Sequence, residues 1–108
     1  MHKLKLSDEA LNDMQEIKDY IARELDNPDA ALKTVADIVK RLRMLQTNSK
    51  LGASLSDKIG METDERYLVC GNYLAFYHES QESVHVDRVL YNRRNYQKLL
   101  VDHFRHQQ

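Results

Sequence analysis

The one proline of the chain, Pro28, stands in Asp26-Asn27-Pro28-Asp29 between two stretches of helical periodicity, and this arrangement narrows the possible folds more than any other feature. Proline suits the first position of a helix and asparagine the cap before it, so the tetrapeptide ends one helix and begins another. Ahead of it, Ala10, Met14, Ile17 and Ile21 recur at helical spacing, with Leu11 beside them and Asp13, Glu16, Lys18 and Asp19 elsewhere around the helix. Ser7 is placed to cap this helix, and Asp8 and Glu9 suit the positive end of its dipole. A helix over residues 8–25 is expected. Beyond the proline, Leu32, Val35, Ala36, Val39, Leu42 and Leu45 share one face, with Asp37, Lys40, Arg41 and Arg43 mostly off it. So short a link makes an antiparallel helical hairpin with one apolar layer.

A single apolar layer needs a sheet to cover it. Lys3-Leu4-Lys5-Leu6 alternates as a half-buried strand does, and three strand-like runs follow the helices at residues 66–70, 73–78 and 84–91. Gly71-Asn72 joins the first two as a tight hairpin, because both residues tolerate positive φ, and the polar residues 79–83 join the second pair. The three runs form an antiparallel meander. The element order is β-α-α-β-β-β, and the expected fold class is a two-layer α+β domain, a helical hairpin packed on an antiparallel sheet. Residues 47–65 are the least regular part, with a short helical turn or extended piece within residues 53–59, and loops this long are more often functional than idle. At 108 residues the chain suffices for one hydrophobic core, so a single domain spanning 1–108 is expected.

Composition excludes several classes. No apolar run approaches the length of a membrane span, and the N-terminus has no apolar stretch of the kind a secretory signal needs, so a cytoplasmic protein without membrane contact is expected. The lone Cys70 lies within an apolar strand and reads as core packing. Three glycines at 52, 60 and 71 make no phosphate-binding loop or dinucleotide fingerprint. His103 and His106 are three apart with no further ligand near in sequence, so no metal and no cofactor are expected. The net charge of −1 hides an asymmetry: residues 1–65 carry ten Lys and Arg against thirteen Asp and Glu, whereas residues 84–108 carry five against two.

That basic end begins with Val84 to Tyr96, VHVDRVLYNRRNY, an apolar strand running into Arg93, Arg94 and Tyr96. Together with Arg66 and Arg88, these arginines offer planar forks matched to phosphate or carboxylate, permanently charged and therefore unable to act as a general base. A base would have to come from Tyr, His, Lys or a carboxylate. The tyrosines of the meander, Tyr73 and Tyr77, read as sheet packing.

The element order, the Asn27-Pro28-x-Ala30-Ala31 start of the second helix, the Arg66-Tyr-Leu-x-x-Gly71-Asn-Tyr73-x-x-x-Tyr77 hairpin and the Arg88-Val-Leu-x-x-Arg93-Arg94-x-Tyr96 ending together resemble the RelE/ParE superfamily of bacterial toxins, over nearly the whole chain. The resemblance implies the toxin of a type II toxin-antitoxin (plasmid stabilisation) module, neutralised by a cognate antitoxin. RelE-like members are mRNA interferases that cut message on the ribosome, the ribose 2′-hydroxyl attacking the adjacent phosphate; ParE-like members poison DNA gyrase instead. The expected function is growth arrest by ribosome-associated mRNA cleavage, with gyrase poisoning as the alternative. On the first reading Arg66, Arg94 and Tyr96 are catalytic, the arginines steadying the pentavalent phosphate and Tyr96 stacking on a base or handling a proton, while Arg93, Arg88, Tyr91 and Lys58 bind substrate. Many relatives carry histidine where Tyr91 stands and aspartate where Asn95 stands; without that histidine the loop residues Lys50, Lys58, Glu62, Asp64 and Glu65 are the substitutes for a proton carrier.

Overall fold

The computed structural model describes residues 1–92 and Asp102, the side chain of Asp57 excepted. Strand β1 (Lys3–Leu6) leads into helix α1 (Asp8–Asp19), whose last turn widens into a π-turn over Tyr20–Glu24. Helix α2 (Pro28–Arg43) follows and tightens into a 3₁₀ turn, Met44–Gln46. The remainder is β2 (Ala53–Ser54), the short helix α3 (Ser56–Ile59), β3 (Arg66–Cys70), β4 (Tyr73–Ser80) and β5 (Ser83–Tyr91). The helix starts form as their sequences dictate. Ser7 Oγ accepts from the Ala10 amide and Asn27 Oδ1 from the Ala30 amide, each supplying an acceptor to a first-turn N–H that has no partner within its helix.

The sheet order is β1-β5-β4-β3-β2. The meander β3-β4-β5 is antiparallel, as expected, and β1 joins its far edge parallel to β5, with Leu4 opposite Val84, so the complete sheet is mixed. A parallel neighbour requires a crossover, and the helical hairpin is the body of it. The irregular stretch holds both a short strand and a short helix, β2 pairing with β3 and α3 following directly. The β4–β5 connection is tighter than expected: Ser80 pairs with Ser83, leaving Gln81 and Glu82 as a two-residue turn with Gln81 at φ 57°.

The hairpin packs on one face of the sheet. Ala10, Met14, Ile38, Leu42 and Leu45 meet Leu68, Cys70, Ala75, Tyr77, Val84, Val86 and Val89 there. The opposite face carries a smaller cluster, Leu74, Phe76 and Leu90 beneath Leu55, with Ile59 and Tyr67 against it. Strand β4 is therefore buried on both sides along Leu74–Tyr77. Helix α2 is turned slightly from the expected stripe. Ile38 is buried and Leu32 is 59% exposed, because Ala31, Ile38, Leu42 and Leu45 sit at spacings of seven, four and three and so define the face that meets the sheet. In α1, Asp13 stands three residues after Ala10 and four before Ile17, and the structure buries it rather than leaving it off the apolar face.

Two polar fastenings lock the layers. Tyr77 is fully buried; its hydroxyl donates to the Ser49 carbonyl at 2.7 Å and accepts from the Gly52 amide at 2.9 Å, pinning the long loop to the central strand. Only glycine fits at 52, since a Cβ there would lie 2.5 Å from the Tyr67 carbonyl oxygen and 2.8 Å from the Tyr77 ring. The second fastening is at a β-bulge in β5, where the pairing skips from Phe76–Arg88 to Tyr77–Val86 and leaves Asp87 as the extra residue. Ser7 Oγ donates to the Asp87 carbonyl at 2.8 Å, so the residue that caps α1 also holds the bulge.

Candidate functional site

The bulge sends successive side chains of β5 to different places, and two polar clusters result. On the helix side, Arg88 forks onto Asp13, Nε to Oδ2 at 2.8 Å and Nη2 to Oδ1 at 3.0 Å, and the Val89 amide also donates to Oδ2 at 2.9 Å. Three donors on one largely buried carboxylate make a strong, directional tie between α1 and β5. The Asp13 carboxylate pushes the Arg88 guanidinium further above its ordinary pKa. A groove of about 910 Å³ opens beside this pair, between the helical hairpin and the end of the meander. Ile17, Tyr20, Ile21 and Leu25 line its helical wall, with Tyr73 and Tyr91 on the sheet side. Tyr73 and Tyr91 are register partners and meet edge to face with ring centroids 5.6 Å apart.

On the open face, Glu65, His78 and Asp87 converge from the start of β3, from β4 and from the bulge. His78 Nδ1 lies 2.7 Å from Asp87 Oδ2 and 3.2 Å from Glu65 Oε2. The His78 ring stacks on His85 at 5.0 Å with the planes 10° apart, which fixes its orientation. Glu65 is buried, and its Oε1 has no hydrogen-bond partner. Burial first, and then the neighbouring Asp87 carboxylate, push the Glu65 acid up to about 10, so it keeps its proton at neutral pH.

The described residues among those singled out from sequence are dispersed. Arg66 opens β3, but its guanidinium turns to the loop beside Tyr77, Nε donating to the Gly52 carbonyl at 3.0 Å and Nη2 to that of Lys50 at 3.4 Å. Lys58, on α3, sits over the Tyr67 ring at 4.5 Å from its centroid, a cation–π contact on the open face. Arg88 and Tyr91 share the helix-side groove. Arg93, Arg94 and Tyr96 lie outside the described residues. The chain leaves the sheet at Asn92, whose amide donates to the Asn72 carbonyl. That is the Tyr73 end of β4, four residues and so about 13 Å from Tyr77, the register partner of Arg66.

Sequence reasoning missed Asp13, His78 and Asp87 and gave Glu65 only a place among loop acids. Asp13 had a usable signal in its spacing to Ala10 and Ile17. The other three had none, because a bulge position and a cross-strand register have no mark in the order of residues. Cys70 is buried as expected, and burial pushes its thiol up to about 11, away from reactivity. No helix among the described residues is long and apolar enough to cross a membrane.

Comparison with known proteins bears on the family and the fold. The family model of the ParE toxin of the type II toxin-antitoxin system parDE matches residues 4–96. Among solved structures, a chain from the chromosomal ParDE toxin-antitoxin system of P. aeruginosa superposes with a TM-score of 0.71 at 26% identity, over 84% of this chain and 96% of that one. No curated protein sequence matches the chain. The chain belongs to the ParE toxin family, within the RelE/ParE superfamily.

Proposed function

We propose that this ParE-family toxin arrests growth by poisoning DNA gyrase, and that a cognate antitoxin holds it inactive. The observation that carries the choice is the placing of Arg66. Cleavage of mRNA through 2′-hydroxyl attack needs guanidinium groups presented to a phosphate. Arg66 instead donates to the carbonyls of Gly52 and Lys50. Arg88 is held by Asp13. The polar cluster of the open face is made of two carboxyl groups and an imidazole, and it presents no guanidinium to a phosphodiester brought there. Membership of the ParE family points the same way, since its resemblance implies gyrase rather than ribosome as the target.

The antitoxin reading has its own support. Tyr20 and Leu25, each more than half exposed, line the groove between the helical hairpin and the meander, an apolar surface that an antitoxin segment would cover. Induced expression in a bacterial host, with and without the antitoxin, tests both statements on one set of cultures. Trapped gyrase–DNA cleavage complexes with intact messages, relieved by the antitoxin, are the expected result. New mRNA 5′ ends inside translated frames, without gyrase complexes, would replace the gyrase reading with ribosome-associated cleavage. Arrest that no antitoxin relieves would remove the partner.

A further inference from the structure

We infer that Glu65, His78 and Asp87 form a binding site for one divalent transition-metal ion, of which Zn²⁺ is the best-matched common example. The three residues come from the start of β3, from β4 and from the β5 bulge, and each offers one ligand atom, all within 4.8 Å of one another. A tetrahedral zinc with bonds of about 2.1 Å sets its ligands about 3.4 Å apart. His78 Nδ1 and Glu65 Oε2, at 3.2 Å, already have that spacing. The 2.7 Å from His78 Nδ1 to Asp87 Oδ2 is a hydrogen bond, and it lengthens by about 0.7 Å when a cation takes the place of the bridging proton.

A second observation points to a cation rather than to an ordinary polar cluster. Glu65 has a side chain only 3% exposed, and its Oε1 is buried with no hydrogen-bond partner. A buried carboxyl oxygen left without a donor is costly, on the order of 1–3 kcal/mol, and a cation held by both oxygens of the Glu65 carboxylate, Oε2 at the His78 spacing and Oε1 beside it, satisfies it. The remaining features suit entry and selectivity. His78 and Asp87 are 31% and 19% exposed, so an ion reaches them from solvent while Glu65 forms the floor. Stacking on His85 holds the imidazole in its ligating orientation. One imidazole with two carboxylates favours zinc, nickel or cobalt over magnesium and calcium, which prefer oxygen alone. Three protein ligands leave a coordination position to water on the exposed side. The site is separate from the helix-side groove and goes beyond the gyrase reading.

The test is calorimetric titration of ZnCl₂ into the full chain, produced with its antitoxin, separated from it and stripped with chelator. One Zn²⁺ per chain is expected, with affinity weakened about tenfold or more in each of Glu65→Gln, His78→Gln and Asp87→Asn. A His103→Gln/His106→Gln double variant is expected to bind as the parent does. No zinc binding by the parent overturns the site, as does binding that survives the three single substitutions or disappears in the double variant. X-ray absorption at the zinc edge of the parent serves where a variant fails to fold: one imidazole per zinc is expected, and two imidazoles or none overturns the assignment.

Discussion

Replacing Glu65 by glutamine is expected to make the metal-free protein more stable at neutral pH, against the usual rule that changing a buried residue costs stability. The Glu65 acid titrates near 4.5 when exposed and is pushed up to about 10 in the fold, by burial first and then by Asp87. Because the folded state keeps this proton while the unfolded state releases it, folding stability falls as pH rises from about 4.5 toward 10, by about 1.4 kcal/mol per pH unit for the one site. By pH 7 the loss is on the order of 3 kcal/mol. Glutamine has the shape of the protonated acid, still offers an N–H to Asp87 and an oxygen to His78, and releases no proton. Urea unfolding in EDTA at pH 5, 6, 7 and 8 measures the difference. The parent midpoint should fall across this range while that of Glu65→Gln changes much less. The two should separate by about 2 M urea near neutrality, taking about 1.5 kcal/mol per molar for a chain of this size. Parallel curves, or a glutamine variant that loses stability at every pH, would show that Glu65 is ionised in the fold and that the reasoning is wrong.

Three further outcomes follow from the packing. Asp13→Ala removes the acceptor for both donors of Arg88 and for the Val89 amide, leaving a half-buried cation unpaired, so it should cost about 3 kcal/mol in urea unfolding. Tyr77→Phe leaves the Gly52 amide and Ser49 carbonyl without their buried partner and should cost about 2 kcal/mol; limited proteolysis should then cut within residues 47–65 earlier than in the parent. Cys70, buried with its thiol pushed up to about 11, should resist a thiol-reactive dye at pH 8 in the folded protein and react at once in 6 M urea; rapid labelling of the folded chain would contradict its burial.

Much of the architecture was open to reading because it rests on local chemistry. Asn27 and Pro28 start a helix wherever they stand before an apolar periodic run, and Gly71-Asn72 turns a hairpin without help from the rest of the chain. Those signals, with the helical spacing of Ala10, Met14 and Ile21, suffice for the hairpin-on-sheet plan, and the toxin family was legible once the motifs running from Arg66 to Tyr77 and from Arg88 to Tyr96 were added to them. What the tertiary structure decided lies across the sheet. A β-bulge at Asp87 is one residue of register, and only pairing with β4 shows it. That single residue sends Arg88 to Asp13, 75 positions away in sequence, and Asp87 to His78 on the other side. Arg66 likewise looked like a phosphate ligand at a strand end, until the loop held by Tyr77 put two carbonyls within its reach. A sequence records which groups a chain carries, and spacing along it sets helices and turns, since these close within a few residues. Whether a charged group faces solvent, a carbonyl or another charge depends on partners brought together by the sheet, and for those the order of residues holds no spacing to read.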